Sequence, residues 1–257
     1  MLDLTQIESF YPELLRPFKR NLLREYLHYK ILEVIFSSRF AEKLVFMGGT
    51  AIHIAYGLPR FSEDLDFDNI GLDKAGFESL TKLIQKRLCL EGYPIEVKNS
   101  FTGAYRSYIR VADILFENKL TVHKEEKMLI QIDAEPQKFA YKPDKVILNK
   151  FDVFTRINVI PEDILLAQKI YAIFMRKRPM GRDFYDTIFL FGKTKPNFKY
   201  LKSKMKVDTL SVLKEKLLAR CKHLDFKDLA KDLAPFLFIP ADAKKVLLFN
   251  EYIKNLW

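Results

Sequence analysis

One short stretch, Lys43 to Ile70, limits what this chain can fold into more than any other. KLVFM (Lys43 to Met47) is apolar and strand-like, Gly48-Gly49 interrupts it, and TAIHIAYG (Thr50 to Gly57) returns to a helical pattern. After Leu58-Pro59-Arg60, FSEDLDFDNI alternates acidic with apolar residues and reads as a second strand. Strand, glycine turn, helix and strand in that order call for a sheet with helices packed on it.

The flanking segments extend this plan. Tyr11 to Phe40 repeats apolar residues every three or four and predicts one or two amphipathic helices. Asp73 to Glu91 predicts a helix that ends at Gly92. PIEVKNSF, YRSYIRVADILF and KMLIQIDAE, between Tyr93 and Glu135, alternate as strands do, and Lys145 to Val159 is strand-like again. PEDILLAQKIYAIFMRKR predicts a helix with Pro161 in its first turn, Glu162 and Asp163 at its positive end and Arg176 to Arg178 at its negative end. The remainder is helical and lysine-rich. The fold class is therefore α+β: a mixed, mostly antiparallel sheet with an N-terminal helical lead-in, and a C-terminal helical domain. The expected boundary puts 1–158 in the sheet-bearing domain and 159–257 in a helical domain that completes a cleft.

Composition narrows the class of function. The chain has 257 residues, 49% hydrophobic, which excludes disorder. Lys and Arg exceed Asp and Glu by 43 to 33, a net charge of +10 that favours an anionic partner, nucleic acid ahead of membrane or acidic protein. Cys89 and Cys221 stand far apart, with neither disulfide-framework nor zinc-ligand spacing. The N-terminus lacks the basic start of a signal peptide, and no apolar run suits a membrane span. A cytoplasmic location is expected.

The chemistry concentrates around the glycine turn. Asp64 and Asp66 lie two apart on the second strand and so share a face, with Leu65 and Phe67 turned to the core. Adjacent carboxylates stay ionised when a divalent cation or flanking bases balance them, and hard oxygen ligands suit Mg²⁺ or Mn²⁺ carrying substrate phosphates. Gly48 and Gly49 allow the backbone close to a triphosphate, and a helix starting at Thr50 offers unpaired N–H groups to its oxygens. Asp133, at the end of KMLIQIDAE, is the candidate third carboxylate of a two-metal phosphoryl-transfer site. Lys169 crosses an apolar surface of its helix and suits a nucleotide phosphate. Just downstream, Arg182-Asp183-Phe184-Tyr185-Asp186 puts Asp183 and Asp186 on one helical face; Arg182 and Asp186 can pair as i, i+4 neighbours, and Asp183 can hold Lys169 or Arg182 in place.

These residues form a recognisable pattern. FMGGTAIHIAYGLPRFSEDLDF resembles the signature of DNA polymerase-β-type nucleotidyltransferases, and more narrowly that of the AbiEii toxin family, where a Gly-Gly-Thr/Ser turn precedes Arg-x-Ser-x-Asp-Leu-Asp-Phe. Arg60 to Phe67 matches the second part, and Lys169 with Arg182-Asp183-x-x-Asp186 is similar to the later family motif. The resemblance spans roughly residues 44 to 190 and implies the toxin of a toxin–antitoxin or abortive-infection system. Such a toxin transfers a nucleoside monophosphate from a nucleoside triphosphate, with a divalent metal, to an RNA acceptor, in characterised cases the tRNA 3′ end, which blocks translation. A winged-helix antitoxin commonly accompanies it. Residue by residue, the resemblance implies that Gly48, Gly49, Thr50 and Ser62 bind nucleotide with Lys169. It makes Asp64 and Asp66 metal ligands and catalytic with Lys169 and Asp183, and Arg60, Arg182 and Asp186 supporting residues.

The charge then has a use. Arg106, Tyr108 and Arg110 alternate on one strand face and are the candidate RNA contacts, with the lysines from Lys193 to Lys206 as further positive charge. Two other functions share these parts: the same transfer to a protein hydroxyl, and a catalytically quiet module that binds RNA or antitoxin.

Overall fold

The structure, a computed structural model, describes residues 2–256 and divides into two compact units. The first comprises Met1–Ala55 and Phe61–Ile160; the second comprises Tyr56–Arg60 and Pro161–Trp257. No helix among the described residues is long and apolar enough to cross a membrane.

In the first unit the N-terminal lead-in is more broken than periodicity suggests. A short helix, α1 (Leu4–Ser9), starts at a capping box in which Asp3 and Gln6 satisfy each other's backbone N–H groups. Pro12 and Pro17 then confine Glu13–Leu15 to a single 3₁₀ turn, and the long helix α2 begins only at Lys19, running Lys19–Phe36. Strand β1 (Leu44–Met47) leads directly into helix α3 (Gly48–Tyr56), so the two glycines form the first turn of the helix instead of a separate loop. Strand β2 is Leu65–Asn69, which leaves Asp64 one residue outside it. Helix α4 (Lys74–Leu90) is capped by the Asp73 side chain on Gly76 N–H. Strands β3 (Ile95–Ser100) and β4 (Tyr105–Val111) follow. A short helix, α5 (Ile114–Glu117), takes the end of the stretch YRSYIRVADILF, whose alternation predicts strand, and β5 (Met128–Glu135), β6 (Asp144–Lys150) and β7 (Val153–Val159) complete the set.

The seven strands form one mixed sheet in the order β3-β4-β5-β2-β1-β7-β6. Only β2 with β5 and β1 with β7 run parallel; the other neighbours are antiparallel. Helices α2 and α4 pack against the strands, burying Leu22, Tyr26, Ile31, Phe77 and Ile84 over Phe46, Phe67, Ile109 and Ile130. The register places Met47 opposite Asp66, and Asp66 opposite Asp133.

The second unit is helical: α6 (Glu162–Met175), α7 (Gly181–Phe191), α8 (Phe198–Met205), α9 (Leu210–Cys221), α10 (Phe226–Leu233), α11 (Lys244–Leu247) and α12 (Phe249–Lys254). Pro161 sits at the cap of α6, just before its first turn. Helix α7 is almost wholly buried, and its first residue has to be glycine: a Cβ on Gly181 would run into the Leu229 carbonyl of α10. Tyr56–Arg60 belongs here because Arg60 bridges Leu237 and the Pro59 carbonyl accepts from Phe238 N–H.

Candidate active site

The residues singled out from the sequence fall into two groups, one in each unit. In the first, the turn from β1 into α3 lies level with Asp66. Gly48 has φ +79°, and a Cβ there would collide with the Asp66 carboxylate, so glycine is required both by the backbone and by the acid beside it. The N–H groups at the start of a helix lack intrahelical acceptors and carry its positive end, so Gly48, Gly49 and Thr50 bring an anion-binding helix start up against a carboxylate. Thr50 is buried and its hydroxyl donates to the Asp64 carbonyl, which ties the helix start to the entrance of β2. Ser62 lies half-buried in the irregular segment before that strand.

The acids of β2 divide by environment. Leu65 and Phe67 are core residues, Asp64 is exposed at the mouth of the strand, and Asp66 is half-buried. Asp68 is buried and structural, accepting from Gln137 N–H at 2.8 Å and from the Tyr141 hydroxyl at 2.7 Å. Asp133 stands opposite Asp66 on β5, but its carboxylate receives Arg106 Nε at 2.6 Å and Gln131 Nε2 at 2.9 Å. Among the described residues no three His, Cys, Asp or Glu side chains converge as a metal cage. A pair of hard carboxylates beside a helix start nevertheless fits Mg²⁺ or Mn²⁺, which keep several waters and take one or two carboxylates plus substrate phosphates.

From Asp66 a row of side chains crosses the sheet through Asp133 to Arg106, by strand register. The next row holds Gln131, Tyr108 and Lys98, and beyond it stand Leu129 and Arg110. Arg110 lies over the Tyr108 ring at 5.8 Å. This face is accessible, whereas Ile109, Val111, Ile130 and Ile132 fill the other.

The second group is closed. Arg60 is 1% exposed and grips Asp186, 0% exposed, through Nε to Oδ1 and Nη2 to Oδ2, both at 2.7 Å. Lys169 Nζ reaches Asp186 at 2.9 Å and Asp183 at 3.2 Å. Arg176 Nε faces the other oxygen of Asp183 at 2.7 Å, without hydrogen-bond alignment. Burial alone would lower the pKa of Arg60 and Lys169 and raise that of Asp186, but the opposite charges outweigh it: both cations are held up and Asp186 is held down. Arg182 lies over the Phe236 ring at 4.4 Å, and the guanidinium on Asp186 comes from Arg60, far away in sequence.

A third set was not read from the sequence. On α2, Glu25 accepts from Lys150 Nζ at 2.8 Å and meets His53 Nε2 of α3 at 2.9 Å. Burial pushes the Glu25 carboxyl up, but His53 and Lys150 more than compensate and hold it at about 2. His28, one turn along, places Nε2 at 3.0 Å from the Glu63 carbonyl, and burial pushes it down to about 3, so its ring is neutral and Nε2 carries the donated hydrogen. The available signal was that Leu22 to Phe36 buries nearly every position, its polar ones included, leaving no clean polar face.

Comparison with known proteins gives a family and a fold. The family model described as "Nucleotidyl transferase AbiEii toxin, Type IV TA system" matches residues 30–246. Among solved structures, the chain is similar to MenT4, the nucleotidyltransferase toxin Rv2826c of Mycobacterium tuberculosis H37Rv, at 13% identity, covering 100% of this chain and 91% of that one with a TM-score of 0.61. It is also similar to JHP933 of Helicobacter pylori, at 19% identity, 92% and 93% coverage and a TM-score of 0.55. A putative nucleotidyltransferase of H. pylori gives 19% identity, 92% and 97% coverage and a TM-score of 0.53. No curated protein matches the chain. At these identities the solved structures support the fold alone.

Proposed function

The chain belongs to the AbiEii family of nucleotidyltransferase toxins of toxin–antitoxin systems, and from that premise we propose that it transfers a nucleoside monophosphate from a nucleoside triphosphate to the end of an RNA, with the tRNA 3′ end as the acceptor. The observation that carries this reading is the Asp66 carboxylate packed against Gly48 at the start of α3, which puts an acid for a phosphate-bound cation beside backbone donors for the phosphates themselves.

In this reading Gly48, Gly49 and Thr50 bind the triphosphate through backbone N–H groups and orient it, with Ser62 as a further polar contact. Asp64 and Asp66 are the residues that would hold a divalent cation, Mg²⁺ or Mn²⁺, and the cation would supply neutralisation of phosphate charge. A hydroxyl of the acceptor forms a new bond to the α-phosphorus, the bond from that phosphorus to the bridging oxygen breaks, pyrophosphate leaves with the bonding pair, and the hydroxyl proton passes to water. Asp133, held by Arg106 and Gln131, orders the sheet face beside the acid pair. Tyr108 offers a stacking surface and Arg106 and Arg110 offer charge, a combination that suits a single-stranded RNA end. Lys169, its ammonium held by Asp183 and Asp186, is the proposed further nucleotide contact. A winged-helix antitoxin is the proposed protein partner.

The test is to incubate the protein with each α-labelled nucleoside triphosphate, Mg²⁺, total RNA and cell extract. Label in small RNA, lost with Asp66→Asn, is the expected result. Label confined to protein would overturn the RNA acceptor and support transfer to a protein hydroxyl. A growth effect that survives Asp66→Asn would overturn enzymatic action altogether.

A further inference from the structure

The Thr50 hydroxyl and the Asp64 carbonyl join the proposed nucleotide-binding turn to the entrance of the proposed metal-binding strand, and each lies at the end of its segment, where regular backbone hydrogen bonding is incomplete. Thr50 is in the first turn of α3, and Asp64 ends an irregular stretch that begins at Phe61. Such termini hold a geometry only when something outside them fixes it.

Helix α2 meets both. Glu25 reaches His53, three residues after Thr50 and therefore on a neighbouring part of the same face of α3, about 4.5 Å further along the axis. His28, three residues after Glu25, reaches the carbonyl of Glu63, the residue before Asp64. Arg24 adds a 3.4 Å ion pair to the Glu63 carboxylate. The contacts close a ring: Glu25 to His53, along α3 to Thr50, across to Asp64, back one residue to Glu63, and through His28 to α2 again. Glu25 and His28 are both buried, and Lys150 balances the Glu25 charge from the end of β6, so the ring is anchored where water cannot substitute for its members.

We propose that α2 is the positioning frame of the active site: Glu25, through His53, sets the start of α3 that binds the nucleotide, and His28, through the Glu63 carbonyl, sets Asp64. This rests on the nucleotidyltransferase reading of Thr50 and Asp64. None of the α2 residues is a catalytic residue; each acts through another. The two arms end on different parts of the site and therefore carry different kinetic signatures. Loss of the Glu25 arm shifts the phosphate-binding turn and weakens nucleotide binding. Loss of the His28 arm shifts a metal ligand and slows the chemical step.

The experiment compares wild type with Glu25→Gln, His28→Leu, His28→Gln and Lys30→Met, reading melting temperature, affinity for the Mn²⁺ complex of each of the four nucleoside triphosphates by calorimetry, and KM and kcat of labelled transfer. Lys30 is the control: it is buried on the same helix and paired with Glu33, Glu91 and Asp152, outside the ring. Glu25→Gln is expected to weaken nucleotide binding and raise KM by about 10-fold with kcat nearly unchanged. His28→Leu is expected to lower kcat by about 10-fold or more, and His28→Gln, which keeps an N–H for the Glu63 carbonyl, to restore most of it. Lys30→Met should lower the melting temperature and leave both kinetic constants at wild type. The proposal is overturned if Glu25→Gln and His28→Leu behave like Lys30→Met, or if His28→Gln fails to exceed His28→Leu. A wild-type protein that binds none of the four nucleoside triphosphates would instead overturn the nucleotidyltransferase reading, and is distinguished by needing no variant.

Discussion

The two groups of acids differ first in how far water reaches them. In the first unit Asp64 is exposed and Asp66 half-buried beside a helix start. In the second, Asp183 and Asp186 are buried and answered by Lys169, Arg60 and Arg176. Both belong to sequence motifs of the same family, yet the first group keeps the accessibility that a metal–phosphate ligand needs, while the second is neutralised internally.

The contrast breaks most visibly under substitution. Asp66→Asn should lower labelled nucleotide transfer by roughly 100-fold or more while the melting temperature stays near wild type, as expected when one group that stabilises transferring charge is removed from an accessible site. Asp186→Ala should do the reverse in kind, since it removes the buried carboxylate that both Arg60 and Lys169 bind. Removing one member of a buried ion pair costs about 3–5 kcal/mol, so denaturant unfolding should show that loss or a chain that no longer folds. Gly48→Ala probes the contact behind the first group: the added methyl must displace the Asp66 carboxylate, and transfer should fall by about 100-fold.

A smaller effect follows from the α2 frame. The His28 pKa lies below its unfolded value of 6.5, at about 3, so between those pH values the unfolded chain binds more protons than the folded one. Stability contributed by this group is therefore intact above pH 6.5 and declines as the pH falls toward 3. Chemical unfolding at several pH values should show that slope, and His28→Gln should flatten it. Smallest of all, Arg110→Gln should reduce the salt dependence of RNA binding by about one unit of slope at most, because a single phosphate contact is at stake.

Much of this was legible in the sequence because local rules govern it. The β1–α3–β2 succession, the helix from Lys74 and the helix after Pro161 are each written in periodicity, caps and breakers within a few residues. What escaped depends on partners far away in the chain. Arg60 and Asp186 lie 126 positions apart, so no local spacing rule points to their pairing. Asp133 sits at the right strand position opposite Asp66, but only the register of β4 reveals that Arg106 holds it. The Tyr56–Arg60 excursion into the helical unit has no composition signal at all. Glu25, His28 and His53 were passed over because a polar residue on a buried helix face is readable only once its partner is known.

The proposed metal–nucleotide site is the turn at Gly48 together with Asp64 and Asp66. It is tested most directly by calorimetric titration of Mn²⁺·nucleoside triphosphate into wild type and into Asp66→Asn, with folding of both confirmed by circular dichroism. The account predicts saturable binding by wild type and an affinity at least about 10-fold weaker in the variant; equal affinity in the two folded proteins would contradict it.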